Sequence, residues 1–208
     1  MAKSAGLTIE YSSEPLPLNG ATGKILALDQ ALGCTGFAYY ETGEILFHGH
    51  LKIPAKRFIE RVDLFEDGIN RLLNRFQPEF VLLETGGGFG LGKGSAEGTR
   101  GMIVAEYVAS KVCHHTKTPY AKIHNQKMKF TVADPARLRQ LKEQRLRNTL
   151  RPIKEDVQHR IFTLYGKGES EWYSMDEVDA IALQIAYATD PTVAELQDYC
   201  PPSRKRKK

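Results

Sequence analysis

Lys24-Ile25-Leu26-Ala27-Leu28-Asp29 is a short apolar run that ends in an acid. A continuous run of this kind predicts a central strand that is buried on both faces. Phe80-Val81-Leu82-Leu83-Glu84 repeats the pattern later in the chain. Between the two runs, apolar residues recur at steps of three and four from Ala55 to Phe76, which predicts an amphipathic helix. A crossover helix between two strands implies that the strands pair in parallel.

Shorter patterns complete the predicted order of elements. Two strands joined by a hairpin turn, Phe37 to Tyr40 and Ile45 to Ile53, give the sheet an antiparallel start. The remaining predicted elements are helices at 95–116, 155–164 and 176–188 and a fifth strand at 120–123. This order is that of an RNase H-like α/β fold, with a five-stranded mixed sheet and helices on both faces, although order alone does not single out one fold.

Length and charge predict one domain with tails. The chain has 208 residues, with 29 Lys and Arg against 25 Asp and Glu. We predict a flexible arm at 1–22, a domain at 23–190 with a basic insertion at 134–153, and a basic tail at 191–208. Uneven positive charge suits a polyanionic partner, although a solvated helix and a solubilising tail explain it equally well.

Cysteine and histidine patterns narrow the class of protein further. Cys34, Cys113 and Cys200 have no CxxC spacing, which argues against a disulfide scaffold and a zinc knuckle. No apolar signal core or membrane-length apolar run is present, so we expect a cytoplasmic protein. His48 and His50 share one strand face, and we interpret them as exposed strand residues rather than as metal ligands.

Four acids stand at the ends of predicted elements. Asp29 and Glu84 end two strands, and Asp176 and Asp179 are three residues apart in the first turn of the last helix. Taken singly, each has an ordinary explanation as a turn residue, a helix cap or a first-turn acid. Together, they form a set of hard oxygen ligands that favours Mg²⁺ or Mn²⁺, and two such ions ~4 Å apart cut phosphodiesters.

Five segments in order resemble the RuvC family of crossover-junction endodeoxyribonucleases. They are Ile25–Leu32 with Thr35-Gly36-Phe37, Phe80–Glu84, Thr99-Arg100-Gly101, Lys154-Glu155-Asp156-Val157-Gln158, and Asp176–Ala182. The resemblance spans about residues 24 to 190. It departs from the family at Ala31, where the family motif has glycine, and in the basic insertion, which replaces a short link. These departures suit a phage-type member that trims many branched structures.

The resemblance implies an activity and its residues. The family's catalytic and metal-binding acids carry over to Asp29, Glu84, Asp176 and Asp179, with two Mg²⁺ ions expected and Mn²⁺ as a substitute. Its basic residues beside the metals correspond to Lys154 and Lys129, which we assign to the scissile phosphate. The expected substrate is branched DNA, above all the four-way junction. Because a junction has approximate two-fold symmetry, we expect a homodimer, with residues 95–116 at its interface.

The glycine-rich stretch after Glu84 leaves an alternative open. Gly87 to Lys93 nearly fits a phosphate-binding P-loop, but Gly94 stands where that motif needs Ser or Thr. An NTPase is therefore one alternative function, and a non-catalytic branched-DNA-binding protein is another. If the protein is a nuclease, this loop faces DNA. The residues we then assign to DNA binding are Phe89, Lys93, Arg100 and Lys127.

Overall fold

The computed structural model describes residues 6–85, 96–144 and 152–197. Its strands are β1 Thr8–Ser12, β2 Leu16–Pro17, β3 Ile25–Asp29, β4 Cys34–Glu41, β5 Glu44–Lys52, β6 Phe80–Thr85, β7 Tyr120–His124 and β8 Ala194–Gln197. Its helices are α1 Phe58–Phe76, α2 Ala96–Thr116, α3 Asn125–Val132, α4 Pro135–Gln144, α5 Lys154–Tyr165 and α6 Met175–Thr189, with 3-10 turns at Glu169–Glu171 and Pro191–Val193. None of the helices in these ranges is long and apolar enough to cross a bilayer.

The sheet is mixed, as the sequence predicts. Its strand order is β1-β5-β4-β3-β6-β7-β8, with β2 also paired to β5. β3, β4 and β5 pair antiparallel, whereas β3 pairs with β6, and β6 with β7, in parallel. The central five strands are the five predicted ones. The three additional strands have 5, 2 and 4 residues and carry no sustained apolar run of the kind that marks β3 and β6.

Part of the predicted flexible arm is ordered in the structure, which corrects that prediction. β1 pairs with β5 from Thr8 opposite Lys52 to Ser12 opposite His48. The free edge of β5 offers unpaired backbone N–H and C=O groups, and β1 satisfies them whatever its side chains are. The same reason applies to β8, which forms from the predicted basic tail by pairing with β7. Within the predicted insertion, α4 is helical.

The sheet separates two hydrophobic layers. Ile25 and Ala27 belong to one layer, formed with α3, α5 and α6. Leu26 and Leu28 belong to the other, formed with α1 and α2. Because successive strand side chains alternate between faces, Asp29 continues the series of Ile25 and Ala27. The same alternation continues from Leu82 to Glu84, so both acids emerge on the face that α6 covers.

Candidate metal-binding active site

Asp29 and Glu84 become neighbours because their strands pair in parallel. The last pair of that ladder is Leu28 opposite Leu83, and both acids follow directly. Burial, and then the negative charge and hydrogen bond of the Glu84 carboxyl, raise the pKa of Asp29 well above its usual range. Two carboxylates held this close and partly shielded from water repel each other, so the arrangement is stabilised when a cation lies between them.

The first turn of α6 contributes the second pair of acids. Ser174 caps this helix by accepting a hydrogen bond from the backbone N–H of Glu177 at 3.1 Å, and the Glu177 side chain accepts one from the Ser174 N–H at 3.3 Å. Asp176 and Asp179 therefore lie one turn apart beside the sheet. One oxygen from each of Asp29, Asp176 and Asp179 can be chosen so that all three lie within 4.8 Å of one another.

Gly36 permits this approach. It lies opposite Asp29 in the β3–β4 ladder, and the start of α6 packs directly on it. A Cβ at this position would lie 1.8 Å from the carbonyl oxygen of Asp176, which is closer than any two nonbonded atoms can come. The absence of a side chain at Gly36 therefore sets how near Asp176 comes to Asp29.

A buried contact with β5 also holds α6 in place. His48 on β5 is 1% exposed, and its Nδ1 contacts a carboxylate oxygen of Glu177. His50, 6% exposed, lies 3.2 Å from Glu10 of β1. The interpretation of both histidines as exposed strand residues is wrong, because the loop before α6 and the unpredicted strand β1 cover this part of β5.

Basic residues complete the wall of the site. Lys154, the first residue of α5, contacts Asp179 through Nζ. Burial raises the pKa of Asp179 to about 6; Lys154 opposes that shift, while Glu84 and Asp176 add to it. Although burial opposes the charged form of Lys154, its acidic neighbours Asp179 and Asp29 raise its pKa on balance. Lys129 of α3 borders the same cavity.

These side chains surround one open cavity of about 230 Å³. Six of the predicted residues line it, namely Asp29, Glu84, Lys129, Lys154, Asp176 and Asp179. Glu84 is outside the three-acid group but contacts Asp29 at its edge. The structure thus brings together every predicted acid and both predicted lysines.

Two of the predicted DNA-binding residues, Arg100 and Lys127, are described by the structure, and they lie away from the cavity. Arg100 is exposed on α2 and its guanidinium stacks on the ring of Phe58 at 5.0 Å. Lys127 on α3 pairs with Glu195 of β8 at 2.7 Å. Neither borders the carboxylate cavity. Phe89, Lys93 and the near-P-loop stretch lie outside the described residues.

Sequence reasoning missed three polar residues around the acids. Gln30 contacts the backbone of Glu84, and the Asn125 side chain donates to its carboxylate. Glu106 of α2 accepts hydrogen bonds from Lys122 at 2.7 Å and from Thr85 at 3.1 Å, and it also borders the cavity. The available sequence signal was position: Gln30 directly follows one predicted acid, and Asn125 comes two residues after the predicted strand at 120–123.

The donor set fits a hard divalent cation. All the converging ligand atoms are carboxylate oxygens, and burial, with a further contribution from the neighbouring acids, raises the pKa of Asp29 and Asp179. Oxygen-only sites of this kind suit Mg²⁺, Mn²⁺ or Ca²⁺. Ions held by these acids, with Lys129 and Lys154 on the cavity wall, would supply the chemistry for hydrolysis of a phosphate ester.

Comparison with known proteins gives similarity in structure only. No family model and no curated protein sequence match the chain. RuvC of Thermus thermophilus in complex with a Holliday junction substrate superimposes with a TM-score of 0.61 at 16% identity, covering 84% of this chain and 99% of that one. A second Thermus thermophilus RuvC structure gives 0.58 with the same identity and coverage. The yeast mitochondrial Holliday junction resolvase Ydc2 gives 0.47 at 12% identity, covering 85% and 83%. The similarity to the RuvC structures confirms the predicted RNase H-like α/β fold.

Proposed function

We propose that the protein is a magnesium-dependent endonuclease that resolves four-way DNA junctions, and trims other branched DNA, by paired nicks. The observation that carries this proposal is the convergence of Asp29, Asp176 and Asp179 within 4.8 Å, with Glu84 beside them and two lysines on the cavity wall. The fold similarity to a RuvC structure that holds a Holliday junction supports the choice of substrate.

In this proposal, the four acids hold two divalent ions and the lysines meet the phosphate. When bound, such ions supply an activated water and stabilise the leaving oxygen. Lys154 opposes the rise in the pKa of Asp179 that burial causes, which favours the carboxylate form that binds a cation. Lys129 and Lys154 line the same cavity as the acids, and we assign them to the negative charge that grows in the transition state.

We assign the approach of DNA to the surface around this cavity. β6 ends at Thr85, directly after Glu84, and the glycine-rich stretch that carries Phe89 and Lys93 follows in the sequence. Phe89 is proposed to stack on an unpaired base at the branch point, and Lys93, Arg100 and Lys127 are proposed to contact phosphates. For Lys127, this requires DNA to replace its exposed partner Glu195.

The function is tested with synthetic four-way, three-way and linear DNA of the same strands. The expected result is Mg²⁺-dependent cutting of the four-way junction into nicked duplexes, with linear duplex left intact. Binding of the junction with no cutting in Mg²⁺ or Mn²⁺ would make the protein a non-catalytic junction binder. ATP hydrolysis stimulated by DNA would support the NTPase alternative instead.

We propose a homodimer formed through α2. Ile103 and Tyr107 are one helical turn apart on this helix, and they are 49% and 68% exposed. Ile59 on the neighbouring α1 is 66% exposed. Exposed apolar side chains grouped on adjacent helices are typical of an interface, and a two-fold dimer would present two active sites to a junction.

The combined substitutions Ile103→Glu and Tyr107→Glu should raise the dimer dissociation constant by about 1,000-fold or more, because one buried interface anchor typically contributes about 2 kcal/mol or more and two-fold symmetry counts it twice. Light scattering after size exclusion measures the change, and the nicks in the two strands should become uncoupled. Leu164→Glu, at an exposed apolar position on α5, is the matched control. Parent protein that is monomeric at all concentrations yet still makes coupled nicks contradicts the dimer.

Because the acids of the site lie close together, we expect the free energy of unfolding to depend on both pH and divalent metal. Asp179 has a pKa near 6 in the folded state against 3.8 as its ordinary value, so between these values the folded protein binds more protons than the unfolded chain. The free energy of unfolding of the metal-free protein therefore falls as pH rises through this window. The raised pKa of Asp29 acts in the same direction.

Divalent cations bind the deprotonated acids and should restore this stability. At about 100 times its Kd and about pH 7.5, Mg²⁺ is expected to add about 2.7 kcal/mol, or about 5–10 °C in Tm. At about pH 5, the gain should shrink because protons compete for the same oxygens. Differential scanning fluorimetry measures the rise in Tm with Mg²⁺ at both pH values. The double variant Asp29→Asn/Asp179→Asn should show no rise. Equal gains at the two pH values, or in that variant, would mean that Mg²⁺ binds elsewhere.

A further inference from the structure

Gln30 continues the pairing between β3 and β6 beyond the last backbone ladder pair. That ladder stops at Leu28 opposite Leu83. Gln30 is 8% exposed, and its side chain binds the next residue of β6. Its Oε1 accepts a hydrogen bond from the Glu84 N–H at 3.2 Å, and its Nε2 donates one to the Glu84 carbonyl oxygen. One side-chain amide thus satisfies both backbone groups of Glu84, as an opposing strand residue would.

Asn125 holds the other end of the same residue. β7 pairs with β6 so that Glu84 lies opposite Ile123, and α3 starts two residues later at Asn125. The Asn125 Nδ2 donates to Oε1 of Glu84. The His124 side chain accepts from the N–H of Gln126 at 3.2 Å, which caps α3 and fixes its first residue at the end of β7.

The two amides act against a repulsive force. Glu84 and Asp29 directly follow the paired residues Leu83 and Leu28, so the two acids are neighbours at the same edge of the sheet, and both line the cavity. An unrestrained glutamate has three rotatable bonds and would swing away from a like charge into the open cavity. The uncharged Asn125 amide donates to the Glu84 carboxylate, and Gln30 binds the Glu84 backbone. Together they keep this carboxylate beside Asp29 without neutralising its charge.

We propose that Gln30 and Asn125 are positioning residues that hold Glu84 in place for divalent-cation binding, Gln30 through its backbone and Asn125 through its carboxylate. The inference rests on the proposed metal site. Groups that orient metal ligands typically contribute about 10- to 100-fold to metal affinity or activity. We therefore expect losses of that size when either amide is removed.

The test compares Gln30→Met and Asn125→Leu, which keep side-chain volume and remove the hydrogen bonds. Gln140→Met on α4 and Asn74→Leu on α1 are matched controls at exposed positions. Mn²⁺ affinity is measured on the DNA-free protein by electron paramagnetic resonance, junction affinity in Ca²⁺, and cleavage as a function of Mg²⁺ concentration. We expect Mn²⁺ Kd to rise about 10- to 100-fold in the two variants, with junction affinity unchanged and cleavage recovered at high Mg²⁺.

A merely structural role predicts a different pattern. Variants that stay folded and bind Mn²⁺ as tightly as the parent would overturn the inference. If Gln30→Met does not fold, Asn125→Leu and Asn125→Ala decide, because the Asn125 side chain borders the open cavity. A parent that binds Mn²⁺ but cuts no junction ends the proposed function, while weaker Mn²⁺ binding by the variants still supports the positioning role. A parent that binds no Mn²⁺ overturns both.

Discussion

Asp29→Asn, Glu84→Gln and Asp179→Asn proteins are expected to bind four-way junctions as the parent does but to cut them more than about 1,000-fold more slowly. Removal of one electrostatic group that stabilises a transition state already costs about 100- to 1,000-fold, and these variants also remove a metal ligand. Binding should persist because neutralising an acid removes no phosphate contact. Single-turnover cleavage and gel-shift titration on the same junction measure the two effects.

Asp63→Asn is the control for these variants, since Asp63 is an exposed acid on α1 and does not border the cavity. It should cut at the parental rate. Cleavage within about tenfold of the parent in any of the three site variants, a change of only about 1.4 kcal/mol in barrier height, would remove that residue from the proposed metal set.

Gly36→Ala is expected to damage stability and metal binding together. The added Cβ would meet the backbone of Asp176 at 1.8 Å, so α6 must move away from β4. Overpacking of this kind typically costs about 1–3 kcal/mol, which corresponds to about 2–10 °C in Tm for a chain of this size. Because the same shift withdraws Asp176 from Asp29, Mn²⁺ affinity should fall as well. Thermal unfolding with and without Mn²⁺ measures both.

Gly33→Ala provides the matched comparison, because a Cβ at Gly33 meets nothing within 4 Å. It lies in the turn between β3 and β4, three residues before Gly36. We expect it to unfold and to bind Mn²⁺ like the parent. A Gly36→Ala protein as stable as Gly33→Ala would show that α6 does not depend on this close approach.

The part of the fold that the sequence predicts consists of strands and helices whose apolar pattern follows their burial. The apolar runs of β3 and β6 are buried on both faces, so their continuous hydrophobicity identified central strands, and parallel pairing followed from the crossover helix. The convergence of Asp29 and Glu84 followed from that pairing alone. Asp176 and Asp179 needed only the helical repeat and the start of α6.

The unpredicted part depends on backbone pairing and on amide side chains. β1, β2 and β8 form by satisfying the edges of neighbouring strands, which leaves little trace in side-chain pattern. The burial of His48 depends on a loop that arrives from the other end of the chain. Gln30 and Asn125 are polar residues next to loops, and only the three-dimensional position of Glu84 gives their amides a role.

Diffraction from crystals soaked in Mn²⁺ tests most directly whether the acids form a metal site. The anomalous difference map should show at least one Mn²⁺ about 2.1 Å from carboxylate oxygens of Asp29 and of Asp176 or Asp179, the distance typical of small divalent cations. A map with no peak in this cavity at saturating Mn²⁺, or with Mn²⁺ bound only at other acids, would contradict the account.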